Sequence, residues 1–65
     1  MNRIKEVLVE KNVKQTWLAE RIGKSFNMVN SYVGNRRQPS LPILFDIANV
    51  LNVSVRDLLQ ENIKN

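Results

Sequence analysis

Neither cysteine nor histidine occurs among the 65 residues of this chain. Without cysteine no disulfide can staple so small a core, so stability has to come from tight helix packing, from oligomerisation or from both. Nothing in the chain then calls for an oxidising compartment. Without histidine the commonest general base and metal ligand is missing. Glycine is scarce as well, at two residues, too few for the Gly-rich loop that cradles a phosphate. The six carboxylates lie scattered at helix spacings. An enzyme is therefore not expected, nor is any metal or cofactor. The chain also lacks a run of the roughly 18 apolar residues that a membrane span requires. Met1-Asn2-Arg3-Ile4-Lys5 leads directly into a charged amphipathic pattern with no apolar leader region, so no signal peptide is expected. Its basic residues do not line one face opposite a continuous apolar one, which argues against a helix lying on a membrane surface. A soluble, cytoplasmic chain of one domain spanning residues 1–65 is expected.

What is present is a charge imbalance with a location. The formal net charge is +4, from ten Lys and Arg against six Asp and Glu. Residues 1–40 hold eight cations and three Glu, giving +5, and residues 41–65 hold two cations and three carboxylates, giving −1. Such a balance alone can be no more than solubility charge. It acquires meaning because the basic half also contains the most structured motif of the chain, and a polyanion is the natural partner for that coincidence.

That motif runs from Lys14 to Arg37. Leu18, Ala19 and Ile22 form the apolar face of a short helix at about 15–22. Gly23 follows, where a helix end wants a residue able to take a positive φ. Ser25 can cap a second short helix at about 26–33, in which Val29, Tyr32 and Val33 mark the buried side. Phe26, Asn27, Asn30 and Ser31 fall on the other side. Two helices of this length joined by a tight Gly-containing corner predict a helix–turn–helix, the motif whose second helix enters the DNA major groove.

The flanking sequence predicts an all-α, compact five-helix domain. Helix 1 is expected at about 3–11, capped by Asn2 or a neighbour, with Ile4, Val7 and Leu8 inward and Asn12 as a left-handed terminus. Gly34-Asn35 breaks the chain after helix 3, and Arg36-Arg37-Gln38-Pro39-Ser40 forms a basic loop. Ser40 caps helix 4, which accommodates Pro42 in its first turn and carries Leu41, Leu44, Ile47, Ala48 and Leu51 at helical spacing, while Asp46 and Asn49 face away. Asn52 ends it. Ser54-Val55-Arg56-Asp57 resembles a capping box, and helix 5 is expected at about 55–62 with Val55, Leu58, Leu59 and Ile63 apolar. Trp17 lies at the edge of the buried side of helix 2. It can cover the core rim, lean on helix 1, contact DNA backbone or meet a partner chain.

Taken together, Gln15-x-x-Leu18-Ala19-x-x-Ile22-Gly23-x-Ser25, then Val29, the Arg36-to-Ser40 turn and Leu44-x-x-Ile47-Ala48-x-x-Leu51-x-Val53-x-x-x-x-Leu58-Leu59 resemble the Cro and repressor-type helix–turn–helix regulators of phage and bacteria. The likeness spans residues 4–60. It departs at Gly34-Asn35, where the family often has Gly one residue later, and at Phe26, where many relatives carry a polar or basic residue. The resemblance implies a lambda-repressor-like fold and a phosphate contact by Gln15.

If helix 3 enters the groove, Asn27 can pair with adenine in bidentate fashion, Ser31 can reach the following base pairs, and Phe26 and Met28 can touch a thymine methyl. Asn30 can meet base or phosphate. Met28 can equally be partly buried, and Phe26 can pack on helix 2 or a partner. Helix 3 itself has no charge between Ser25 and Asn35, so phosphate grip must come from Lys14, Gln15, Lys24, Ser25, Asn35, Arg36 and Arg37, the loop arginines being suited also to a narrow minor groove. The expected function is sequence-specific binding of double-stranded DNA by a homodimeric transcriptional regulator or repressor, paired through helix 5 (Leu58, Leu59, Ile63). Core closure is the alternative use of Leu58. The rival reading is a protein-binding adaptor or antitoxin-like module presenting Trp17, Phe26 and Met28 as an apolar patch. The chain leaves no room for a separate sensor domain, so no small-molecule ligand is expected.

Overall fold

The structure is a computed structural model that describes residues 1–59. Its elements are α1 (Ile4–Lys11), α2 (Gln15–Ile22), α3 (Phe26–Val33), α4 (Leu41–Leu51) and a one-turn 3-10 helix (Val55–Leu58). Most helix ends have a local chemical cause. Asn12 and Asn52 end α1 and α4 in the left-handed conformation, with φ of 57° and 59°, and Gly23 ends α2 at φ 69°. Ser25 caps α3 by accepting from the Met28 amide at 3.1 Å, and Ser40 caps α4 by accepting from the Ile43 amide at 3.4 Å. The Asp57 carboxylate accepts from the Ser54 amide at 3.1 Å, closing one half of the capping box. Asn2 Oδ1 accepts from the Ile4 amide at 2.9 Å, satisfying the first N–H of α1 from one residue before its cap.

The core draws one fully buried large side chain from every element: Ile4 of α1, Leu18 of α2, Val29 of α3, Ile47 of α4 and Leu58 of the 3-10 turn. Val7, Leu8, Ala19, Tyr32, Val33, Leu44, Ala48 and Leu51 complete it. Because these positions follow the 3.6-residue period, the same packing that buries Val29, Tyr32 and Val33 turns Asn27 toward solvent.

Two expectations need correction. Helix 5 does not run as an α-helix from 55: the turn stops at Leu58, and Leu59 is extended with φ −98° and ψ 138°. The cause is remote in sequence. The Arg3 amide donates to the Leu58 carbonyl at 2.8 Å, and Asn2 and Leu59 form an antiparallel bridge, so Leu59 is extended where it pairs with the segment preceding α1. The part of the expected helix beyond Leu59, including Ile63, lies outside the described residues. Leu41, expected inward, is 64% exposed. It is the first residue of α4, projecting before the turn at which that helix meets the core.

Candidate nucleic-acid interface

α3 presents a polar side framed by cations. Asn27 is exposed, as are Lys14, just before α2, Lys24, in the corner between α2 and α3, and Arg36 and Arg37, in the loop after α3. Phe26 is 46% exposed. Its covered part joins Leu8, Val9, Val13 and Val33 in an open groove between α1 and the start of α2, with Lys5 and Lys14 on the rim. Met28 is half-buried, with Arg37 Nη1 3.9 Å from its sulfur. Ser31 is half-buried, and its hydroxyl donates to the Met28 carbonyl at 2.6 Å. That proton is committed to the helix, leaving the oxygen as an acceptor.

Trp17 is exposed and carries the Arg21 guanidinium 4.8 Å from its ring centroid, a cation–π contact one helical turn away. Two of the three side chains of the suspected apolar patch, Trp17 and Met28, thus lie beside guanidinium groups.

The start of α2 is a ready anion position. Its cap, Lys14, makes no side-chain bond to the first amides, which leaves them without a side-chain acceptor at the positive end of the helix dipole. Gln15 is half-buried there, and its Oε1 accepts from Asn30 Nδ2 at 3.0 Å. Asn30 Oδ1 in turn accepts from Arg36 Nη2 at 2.7 Å. Asn30 thus joins the α2 end of the site to the basic loop.

The loop after α3 folds back on the helix it leaves. The Ser31 carbonyl accepts from the amides of Arg36 (2.9 Å) and Arg37 (3.2 Å), and Asn35 takes the left-handed conformation at φ 59°. Gly34 does not, with φ −83°. What glycine supplies at 34 is room, since a Cβ there would lie 2.7 Å from Arg36 Nη1.

A second polar cluster fixes the loop from behind. Asn2 is 4% exposed. Its Nδ2 donates to the Tyr32 carbonyl (3.0 Å) and to Gln38 Oε1 (3.0 Å), and its backbone N–H donates to Asn35 Oδ1 (2.8 Å). Asn35 Nδ2 returns a bond to the Asn2 carbonyl at 3.2 Å, and Gln38 Nε2 donates to Asn35 Oδ1 at 3.1 Å. The Asn35 side chain, expected at phosphate, is thereby occupied within the protein. Among the described residues no buried side-chain N or O atom lacks a partner. The sequence marks Asn2 or a neighbour as a cap but carries no signal for this knot, in which Asn2 meets partners 30 to 36 positions away.

The expected interface through the last helix loses one member: Leu58 is fully buried in the core, while Leu59 is 45% exposed. Among the described residues no helix is long and apolar enough to cross a membrane.

Comparison with known proteins matches residues 4–58 to a family described as helix-turn-helix. A crystal structure of a candidate DNA-binding protein from Bacteroides fragilis is 48% identical, with a TM-score of 0.87, over 89% of this chain and 94% of that one. The N-terminal DNA-binding domain of SinR from Bacillus subtilis is 35% identical, with a TM-score of 0.77, over 95% of this chain and 91% of that domain. The comparison with curated proteins finds no match.

Proposed function

The chain belongs to the Cro/C1-type helix–turn–helix family of DNA-binding domains, and from that premise we propose that it is a sequence-specific transcriptional regulator that grips duplex DNA as a homodimer. The observation that carries this reading is the outward side of α3, where Asn27 stands exposed among Lys14, Lys24, Arg36 and Arg37. Asn27 reads adenine, with Phe26 and Met28 offering apolar contact to thymine methyls and Ser31 an acceptor. Gln15, the capped start of α3 at Ser25 and the four cations hold the phosphates, which supplies affinity without sequence information.

One such domain spans only a few base pairs. Two copies related by a two-fold axis read half-sites roughly 34 Å apart, one turn of the double helix. Because Leu58 belongs to the core, the side chains proposed for the two-fold contact are exposed apolar ones: Leu59, and Leu41 and Phe45 on α4.

Selection of bound duplexes from a random pool tests the reading. It predicts an enriched palindrome whose half-site centres lie about 10 base pairs apart. An enriched site without symmetry would overturn the homodimer. No enrichment, together with binding to a protein partner that is insensitive to salt, would favour an adaptor acting through Trp17 and Phe26.

A further inference from the structure

We infer that Asn30 is a positioning residue, not a base reader: it turns the donor end of the Gln15 amide toward a DNA phosphate, and it is held in that sense by Arg36 in the space that Gly34 leaves open. The inference rests on the duplex-binding reading above and assigns the division of labour within that site.

The argument starts from the one group whose hydrogen-bonding sense is fixed. A guanidinium only donates. The end of the Asn30 amide that faces Arg36 Nη2, at 2.7 Å, is therefore its carbonyl. Its NH2 end must then point the other way, toward Gln15, at 3.0 Å. A donor there requires the Gln15 carbonyl, which in turn leaves the Gln15 NH2 group directed away from Asn30. That group sits at the first residue of α2, beside amides that no side chain caps. Two donors and the helix dipole thus converge where an anionic oxygen is favoured. The sense of each bond is passed along from the cation: Arg36 sets Asn30, and Asn30 sets Gln15. Without Arg36 the Asn30 amide is free to rotate by half a turn, and Gln15 can then present its oxygen to the phosphate instead.

Gly34 completes the device. Its φ of −83° is open to any residue, so no backbone demand explains glycine here. A Cβ would lie 2.7 Å from Arg36 Nη1 and 3.4 Å from the backbone carbonyl oxygen of Asn30. The first approach is too close, and the guanidinium, being the end of a flexible side chain, is what would move. Each end of the Asn30 amide is held by one bond within the protein, which fixes its orientation and leaves Asn27 as the exposed α3 amide turned to the bases.

Fluorescence anisotropy with a short random-sequence duplex tests this without knowledge of the operator, because phosphate contacts alone govern such binding. Asn30→Ala and Gln15→Ala should each weaken binding by about three- to tenfold, as expected for loss of a hydrogen bond to a charged group. Neither should change the salt slope, since both side chains are neutral. The double variant should bind no more weakly than either single one. Gly34→Ala should weaken binding several-fold and add nothing to Arg36→Ala, while leaving the fold intact. In the free protein, the side-chain NH2 signals of Gln15 in a 15N–1H spectrum should shift in Gly34→Ala, although that residue does not touch Gln15.

Effects of Asn30→Ala and Gln15→Ala that multiply would overturn the inference, as would a neutral Gly34→Ala. A wild-type chain that ignores duplex at low salt would overturn the duplex reading itself. Unshifted Gln15 signals in Gly34→Ala alongside normal duplex binding would overturn only the relay.

Discussion

Asn30, within α3, and Asn35, just beyond its end, are the same kind of residue, yet the fold puts them to different uses. Asn35 is tied to Asn2 and Gln38 in a knot whose centre, Asn2, is 4% exposed. Asn30 is half-buried between Gln15 and Arg36 on the side that carries the exposed cations. At the knot's centre the Asn2 bonds to the Tyr32 carbonyl and from the Ile4 amide are buried, so water cannot replace a lost partner there and those bonds count toward folding. In the relay the Arg36 bond is exposed and the Gln15 bond part-buried, with no fully buried member, so folding depends less on it than the binding surface does. Amide side chains of one chemistry therefore hold the fold together behind the helix and shape its binding surface in front.

The contrast breaks first at Asn2. Asn2→Ala removes the acceptor of the Ile4 amide and the donor to the Tyr32 carbonyl, both buried, and should cost about 2–3 kcal/mol of stability in a denaturant titration. Below its unfolding midpoint the variant should keep a steep salt dependence of duplex binding. A cost under about 0.5 kcal/mol, the range of ordinary surface changes, would show that the knot is decorative.

On the binding side the largest effect is expected at Asn27. Asn27→Ala should lose about 2 kcal/mol on the selected site, within the range for a bidentate base contact, while random duplex binding changes little. Arg37→Ala should instead weaken selected and random duplexes alike and lower the salt slope by about one unit. Equal losses on both duplexes in both variants would erase the distinction between reading and gripping. Ser31→Ala should shift stability by less than about 0.5 kcal/mol, since its hydroxyl bonds only its own helix. Its remaining effect should appear as a small change in site preference by competition binding.

Much of the fold is legible from local rules. Ser25, Ser40, Gly23, Asn12 and Asn52 each mark a helix end by their own chemistry, and all five act as the sequence predicts. The left-handed residue after α3 is Asn35, in keeping with the Gly34-Asn35 departure from the family pattern. What the sequence does not reveal is non-local. The 3-10 turn gives way at Leu59 to an extended residue that pairs with Asn2, near the start of the chain. Periodicity places Leu41 inward, but periodicity does not say where along a helix the core begins. The exposed setting of Asn27 follows from which side of α3 is apolar. The pairing of Gln15 with Asn30, and the use of Gly34 as space for a guanidinium, depend on how α2 and the basic loop pack and have no sequence signature.

The central claim is that the uncharged outward side of α3, ringed by Lys14, Lys24, Arg36 and Arg37, docks on duplex DNA. Titrating labelled duplex with the intact chain across a range of salt concentrations tests it most directly. The account predicts a linear fall of log affinity against log salt, with a slope of several units at about 0.9 per phosphate neutralised. A flat dependence, or no binding in dilute buffer, would contradict it.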